Sequence, residues 1–206
     1  MPRPFAALFV LALLLGIPFE SRADESAEGF VPIFNGVDFA GWNTANTNGY
    51  RVEDGKIIAH KGNLVTEKHY RDFILRFEFR LPENGNNGIG IRNAMEIQVL
   101  DDTGPKHKNI KPWQFHGSVY GIVPAKQGSL RPLGEWNEQE ILIKGNHIRV
   151  TVNGQVVVDA DLKEALARGP LDGKPHSELL SPSGPITLRG HNSPVEFRNL
   201  RVKELK

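Results

Sequence analysis

The residues whose types and spacing could do chemistry cluster between Asn84 and Asp101, where the chain reads NGNNGIGIRNAMEIQVLD. Side chains alternate along a strand, so Met95, Ile97 and Val99 face a core while Glu96 and Gln98 share the opposite face. A carboxylate beside an amide suits sugar hydroxyls, which both donate and accept hydrogen bonds. Asp101, five residues beyond Glu96, joins that face only if a bulge or the strand end re-aims it. Arg92, four residues before Glu96, is a same-face partner if the strand runs unbroken. The same pattern is also that of a solvated sheet face with turn asparagines. The glycines do not form a phosphate cradle, because no Gly-Lys-Ser/Thr follows and no strand gives way to a helix there. The histidines (His60, His69, His107, His116, His147, His176 and His191) are scattered. None has the helical spacing of a zinc site, so no sequence-local metal site is visible, while one assembled from distant strands stays open. His191 stands apart because it closes PITLRGH just before Asn192-Ser193-Pro194. The chain has no cysteine, which excludes a thiol nucleophile, a disulfide framework, a zinc–cysteine site and a lipidated cysteine anchor.

The elements that must position these side chains are strands. Phe73 to Leu81 (FILRFEFRL) alternates, with Phe73, Leu75, Phe77, Phe79 and Leu81 on one face and Arg76, Glu78 and Arg80 on the other. Glu140 to Lys144 and His147 to Val152 follow the same rule, and Asn153-Gly154 joins the latter to Gln155–Ala160 as a tight hairpin. Pro185 to Leu188 and Val195 to Val202 read as two final strands with a turn between them. Asp161 and Glu164 have capping-box spacing and Gly169 a stop, which predicts one short helix. Residues 101–118 read as a long loop. The length leaves room for about a dozen short strands, so the chain is expected to be all-β: a two-sheet antiparallel jelly-roll sandwich with one short helix.

The 206 residues carry a formal charge of +1, without the basic excess of a nucleic-acid surface. Arg3 precedes a 13-residue apolar run, Phe5 to Ile17, then Pro18 and Ser21-Arg22-Ala23. A membrane-spanning helix needs about 20 residues, so the pattern reads as a cleavable signal peptide over residues 1–23, cut after Ala23. The expectation is a secreted or periplasmic protein with no membrane anchor and one domain over residues 30–206.

Several short motifs, in order, resemble the 3-keto-disaccharide hydrolase domain family, long catalogued as a domain of unknown function. Phe34-Asn35-Gly36-Val37-Asp38-Phe39-Ala40-Gly41-Trp42 is similar to its FNGxDLxGW opening, Val52-Glu53-Asp54-Gly55 to its VEDG turn, and Asn86-Asn87-Gly88 to its NSG step, with Asn87 in place of serine. Glu96-Ile97-Gln98-Val99-Leu100-Asp101 resembles its ExQxLD strand, Gly117-Ser118-Val119-Tyr120 its GxxY, Gly134-Glu135-Trp136-Asn137 its GEWN, and Phe197-Arg198-Asn199-Leu200 its FRNI. Where the family has LQDH this chain has Leu188-Arg189-Gly190-His191, so the imidazole is kept and the polar pair before it is not.

The resemblance implies a concanavalin- or laminin-G-like jelly roll acting on a small carbohydrate oxidised at C3. The ketone acidifies the proton at C2; a base removes it, the C1–oxygen bond breaks, and water adds back. On that basis Glu96 and His191 are the expected acid/base pair. Arg92, Gln98 and Asp101 are expected to bind sugar hydroxyls, and Tyr120 and Trp136, with Trp113, to offer aromatic contacts. A divalent metal ion is a further candidate for the enolate electrophile, with no ligand assigned. A retaining glycosidase would need paired carboxyl groups, but Gln98 and Leu100 stand where a second acid would. The remaining alternative is a non-catalytic carbohydrate-binding or adhesion module.

Overall fold

The computed structural model describes residues 28–93 and 95–206; the expected signal peptide lies outside them. Eleven strands run in the order β1 (Val31–Pro32), β2 (Trp42–Asn48), β3 (Arg51–Glu53), β4 (Lys56–Tyr70), β5 (Phe73–Arg80), β6 (Asn86–Ile91), β7 (Met95–Leu100), β8 (Trp136–Lys144), β9 (His147–Val152), β10 (Gln155–Asp161) and β11 (Gly184–Glu204), with helix α1 (Leu162–Ala167) before the last. Every pairing is antiparallel. Among the described residues no helix is long and apolar enough to cross a membrane.

The hydrogen-bonded network is continuous because β4 and β11 each serve both layers of a sandwich. In the front layer, Ile186 to Gly190 of β11 pair with β6, which pairs with β7, and Gly184 to His191 pair with the second half of β4, which pairs with β2. In the back layer, Glu196 to Glu204 pair with β5, and the order continues through β8 and β9 to β10. A strand that changes layers does so at a bulge, and the register of β11 against β4 shifts between His191 and Val195. This corrects the expectation of two strands and a turn. Asn192 adopts φ +65° and Pro194 lacks an N–H, which interrupts the ladder, but β4 bends alongside and the chain never reverses.

The core lies between the layers. Phe73, Leu75, Phe77 and Phe79 are fully buried, as the alternation predicts, and meet Ile89, Ile91, Ile97 and Val99 of the front layer. Each such side chain contributes about 1.5–3 kcal/mol by leaving water. The outer face of the back layer is a lattice of cross-strand ion pairs. Arg76 donates to Glu140 at 2.7 Å, Arg198 to Glu78 at 2.7 Å and Arg201 to Glu138 at 3.0 Å, and Arg80 meets Glu196. The Asn153-Gly154 hairpin forms with φ +48° and +80°. Asp161 caps α1 by accepting from the Glu164 N–H at 2.9 Å.

The excursion after β7 is held by polar contacts. It contains two short 3₁₀ turns, Pro105–His107 and Pro112–Gln114. It then returns along β7: Gly117 N–H donates to Gln98 O, Gln98 N–H to Ser118 O, and Tyr120 N–H to Glu96 O, at 2.8, 3.0 and 2.9 Å. His116 is the anchor. Its ring stacks on Phe79 at 4.9 Å, and its Nδ1 accepts from the Leu100 N–H at 3.2 Å. Nδ1 being an acceptor, the ring proton sits on Nε2. Burial pushes the imidazole down to about 3 from 6.5, so it is neutral at pH 7.

That depression predicts a stability that falls as the pH is lowered. Unfolded, His116 takes a proton below about pH 6.5, while folded it does not until about pH 3. Its contribution is therefore complete above pH 6.5 and lost progressively down to pH 3, by about 1.4 kcal/mol per pH unit inside that window. Urea unfolding at pH 7.5, 6 and 5 should show His116→Gln less stable at pH 7.5, but with a shallower acid dependence than wild type. Equal slopes would mean another group is responsible.

Candidate active site

Arg92 and Asn93 form the β6–β7 turn, with φ +50° and +69°, so the segment from Asn84 to Asp101 is a hairpin, not one strand. In its register Glu96 faces Gly90, which faces Thr187, and Gln98 faces Gly88, which faces Arg189. Directly opposed residues share a face. The outward positions of β6 are thus glycines flanked by long polar side chains from β7 and β11. A β-carbon on Gly88 would fall 2.1 Å from Glu96 Oε1, and one on Gly90 2.6 Å from Arg189 Nε. The missing side chains make a trough in which the carboxylate and the guanidinium lie across β6.

Three charged or titratable groups meet there. His191 Nε2 lies 2.9 Å from Glu96 Oε1, and Arg189 Nη1 donates to Glu96 Oε2 at 3.3 Å. Arg189 Nη2 also donates to the Asn93 carbonyl at 2.7 Å. A carboxylate only accepts, so the Nε2 of His191 carries a proton, and in the neutral form of the ring it is Nδ1 that holds the lone pair. The Glu96 side chain is 15% exposed and that of His191 42%, so the imidazole is the member of the pair open to a ligand. Gly190, between Arg189 and His191, has no room for a side chain: a β-carbon there would meet His60 O at 2.5 Å and the Tyr50 hydroxyl at 2.8 Å. That hydroxyl is shared between the Gly62 and Leu188 carbonyls.

Tyr120 stands opposite Glu96, because the bridge between Ile97 and Val119 sets those two residues in register. Trp113 meets its ring edge-to-face at 5.0 Å. The excursion thus brings a pair of aromatic residues alongside β7, with Tyr120 in register with Glu96. Gln98 shares the face of Glu96 but is only 5% exposed, and its Oε1 has no partner among the described residues.

Three expected site residues serve elsewhere. Arg92 is 2% exposed and donates to Gly145 O, Arg71 O and Asp72 Oδ1 at 2.7, 2.9 and 3.2 Å. The hairpin turn throws its side chain off the Glu96 face, and it clamps three turns instead. Asp101 is 1% exposed; Oδ2 accepts from Asn84 N–H at 2.8 Å and Oδ1 from the Thr103 hydroxyl at 2.9 Å. Lying past the end of β7, it closes the loop and leaves no oxygen for a sugar. Trp136 belongs to β8, opposite Arg80, and packs between the guanidiniums of Arg80 and Arg198 at 4.9 and 4.0 Å. It therefore sits on the outer face of the back layer, across the sandwich from Glu96.

Sequence reading does not pick Arg189 as a site residue. The available signal is its position two residues before His191 on a strand, which puts both on one face. Nor does the site fit a divalent metal. Glu96 and His191 offer two ligands, a guanidinium holds one carboxylate oxygen, and the described residues contain no group of three or more His, Cys, Asp or Glu placed to bind an ion.

Fold and site together define a jelly-roll sandwich with a carboxylate–imidazole pair on an open polar face. The sequence pattern of the 3-keto-alpha-glucoside-1,2-lyase-like domain matches residues 29–203, and the chain belongs to that carbohydrate-acting family. It is 27% identical to a 3-keto-disaccharide hydrolase of Bacteroides thetaiotaomicron, over 87% of this chain and 79% of that protein. A solved structure from Parabacteroides distasonis, provisionally named a glycosyl hydrolase, superposes with a TM-score of 0.77 at 26% identity, covering 89% of this chain and 97% of the other. A carbohydrate binding module from Bacillus subtilis shares the fold at a TM-score of 0.50 and 13% identity, covering 80% of this chain and 96% of the module.

The trough is testable. Gly88→Ala should displace the Glu96 carboxylate from His191, because the new methyl meets the far end of a flexible side chain, not backbone. Melting temperature should stay within a few degrees of wild type while any turnover falls at least tenfold. Unchanged turnover would show that the pairing is dispensable. Arg92→Ala should instead cost about 3 kcal/mol in urea titration, by removing the buried cation of Asp72 and the donor to the Arg71 and Gly145 carbonyls.

Proposed function

We propose that this protein cleaves 3-keto-glycosides by elimination and rehydration. The observation that carries the reading is the 2.9 Å contact between Glu96 and His191 on an open polar face, in a chain of this family. Glu96 accepts from Nε2–H of His191 and fixes the tautomer. The free Nδ1 takes the proton from C2 of the sugar, which the neighbouring ketone has acidified. The electron pair left at C2 forms the C1–C2 double bond as the C1–oxygen bond breaks, and the imidazolium returns a proton to the departing oxygen. Water then adds across the double bond, its oxygen to C1 and its proton to C2, so the net change is hydrolysis. Tyr120 and Trp113 flank the ring.

Purified protein incubated with 3-keto-lactose and 3-keto-trehalose should release the aglycone and, in deuterated water, exchange the C2 hydrogen. His191→Ala and Glu96→Gln should each lose about 10²–10⁴-fold. Unchanged turnover in both variants would end the assignment. The aromatic pair also suits a binding module, and tight calorimetric binding of unoxidised glycans with no turnover of any keto-glycoside would favour that reading. The proposal includes export: N-terminal sequencing of protein recovered outside the cytoplasm should begin at Asp24, and an intact Met1 terminus would contradict it.

A further inference from the structure

Loss of the C2 proton puts negative charge on the C3 oxygen, and that charge needs a fixed partner in the site. We infer that the partner is the Arg189 guanidinium, in the place where a divalent cation would otherwise act; the inference rests on the elimination proposed above.

Several observations converge on this residue. Arg189 and His191 leave the same face of β11 on either side of a glycine that the Tyr50 hydroxyl and the His60 carbonyl approach too closely for any side chain. The guanidinium lies over Gly90, where a β-carbon would come within 2.6 Å of Nε. Two contacts orient it, Glu96 Oε2 at 3.3 Å and Asn93 O at 2.7 Å. A guanidinium carries five N–H donors, so three remain without a partner among the described residues. Its side chain is 23% exposed, intermediate between Glu96 and His191, which leaves it within reach of a ligand. A cation fixed on one oxygen of Glu96 repels a second cation from the other, and His191 already holds that other oxygen. The pair therefore lacks the donor set of a metal centre and carries the positive charge that such a centre would supply. With Glu96 holding one edge, the guanidinium presents its free N–H groups to an oxygen that gains charge only as the proton leaves. This contribution belongs to the transition state and should appear in kcat more than in KM.

The test uses full-length protein and 3-keto-lactose. Wild type freed of metal with a chelator should keep its turnover within about twofold, and manganese or zinc titrated calorimetrically should show no heat that Glu96→Gln abolishes. Arg189→Gln should lose about 10²–10³-fold, chiefly in kcat, with C2 hydrogen exchange slowed in parallel. Arg189→Lys, which keeps the charge, should recover part of the loss, whereas a residue serving only the fold would lower the melting temperature and leave kcat per folded molecule unchanged. Turnover that vanishes with chelator and returns with a divalent metal overturns the inference and leaves the elimination standing. So does an Arg189→Gln variant within a few-fold of wild type. A wild type inert on every keto-glycoside overturns both.

Discussion

A carboxylate on β7 reaches an imidazole 95 residues later in the chain by lying across a strand that has no side chain beneath it. This contact depends on the absence of two methyl-sized obstacles, at Gly88 and Gly90. It also depends on the pairing that sets β6 between β7 and β11. A sheet is a poor surface on which to bring long polar groups together, because side chains on neighbouring strands stand parallel and are held apart by those between them. Removing the intervening side chains lets Glu96 and Arg189 fold down toward each other, and the pair then reads as a continuous polar strip ending at His191.

The sandwich supplies the rigidity that this geometry needs. β11 carries Arg189 and His191 in the front layer and Val195, Phe197, Leu200 and Val202 in the core, with the layer change between the two groups. A displacement of the imidazole therefore pulls on residues that are buried. On the other side, the edge of β7 is closed by the returning excursion, which His116 fastens to Phe79 and to the Leu100 N–H. The neutral imidazole inside the core and the exposed one in the trough are the same side chain in opposite roles. One is kept from protonation by burial; the other is turned toward solvent by a carboxylate.

Much of this was legible in the sequence. Alternation in FILRFEFRL gives the buried face of β5, and the same parity places Glu96 and Gln98 together. The Asn153-Gly154 pair gives its hairpin and Asp161 its cap. What parity cannot show is where a strand stops. Arg92 and Asn93 look like strand continuation, yet both adopt positive φ, and that single turn sends the Arg92 side chain to the far turns. Asp101 and Trp136 fail for a related reason. A strand end re-aims the first into its own loop, and strand order, which local pattern does not encode, assigns the second to the other layer. His191 was recognisable by its motif, but its contact with Glu96, and that of Arg189, are matters of register between distant strands.

The Glu96–His191 pair stands on paired strands, whereas Trp113 and Tyr120 come from the excursion between β7 and β8. The two parts have separate scaffolds, joined by main-chain bonds between the excursion and β7 and by the His116 anchor. On the proposed reading, ligand preference can therefore change through the excursion while the Glu96–His191 pair stays in place. Relatives with the same sheet and different loops would be expected to share a chemistry and differ in what they accept.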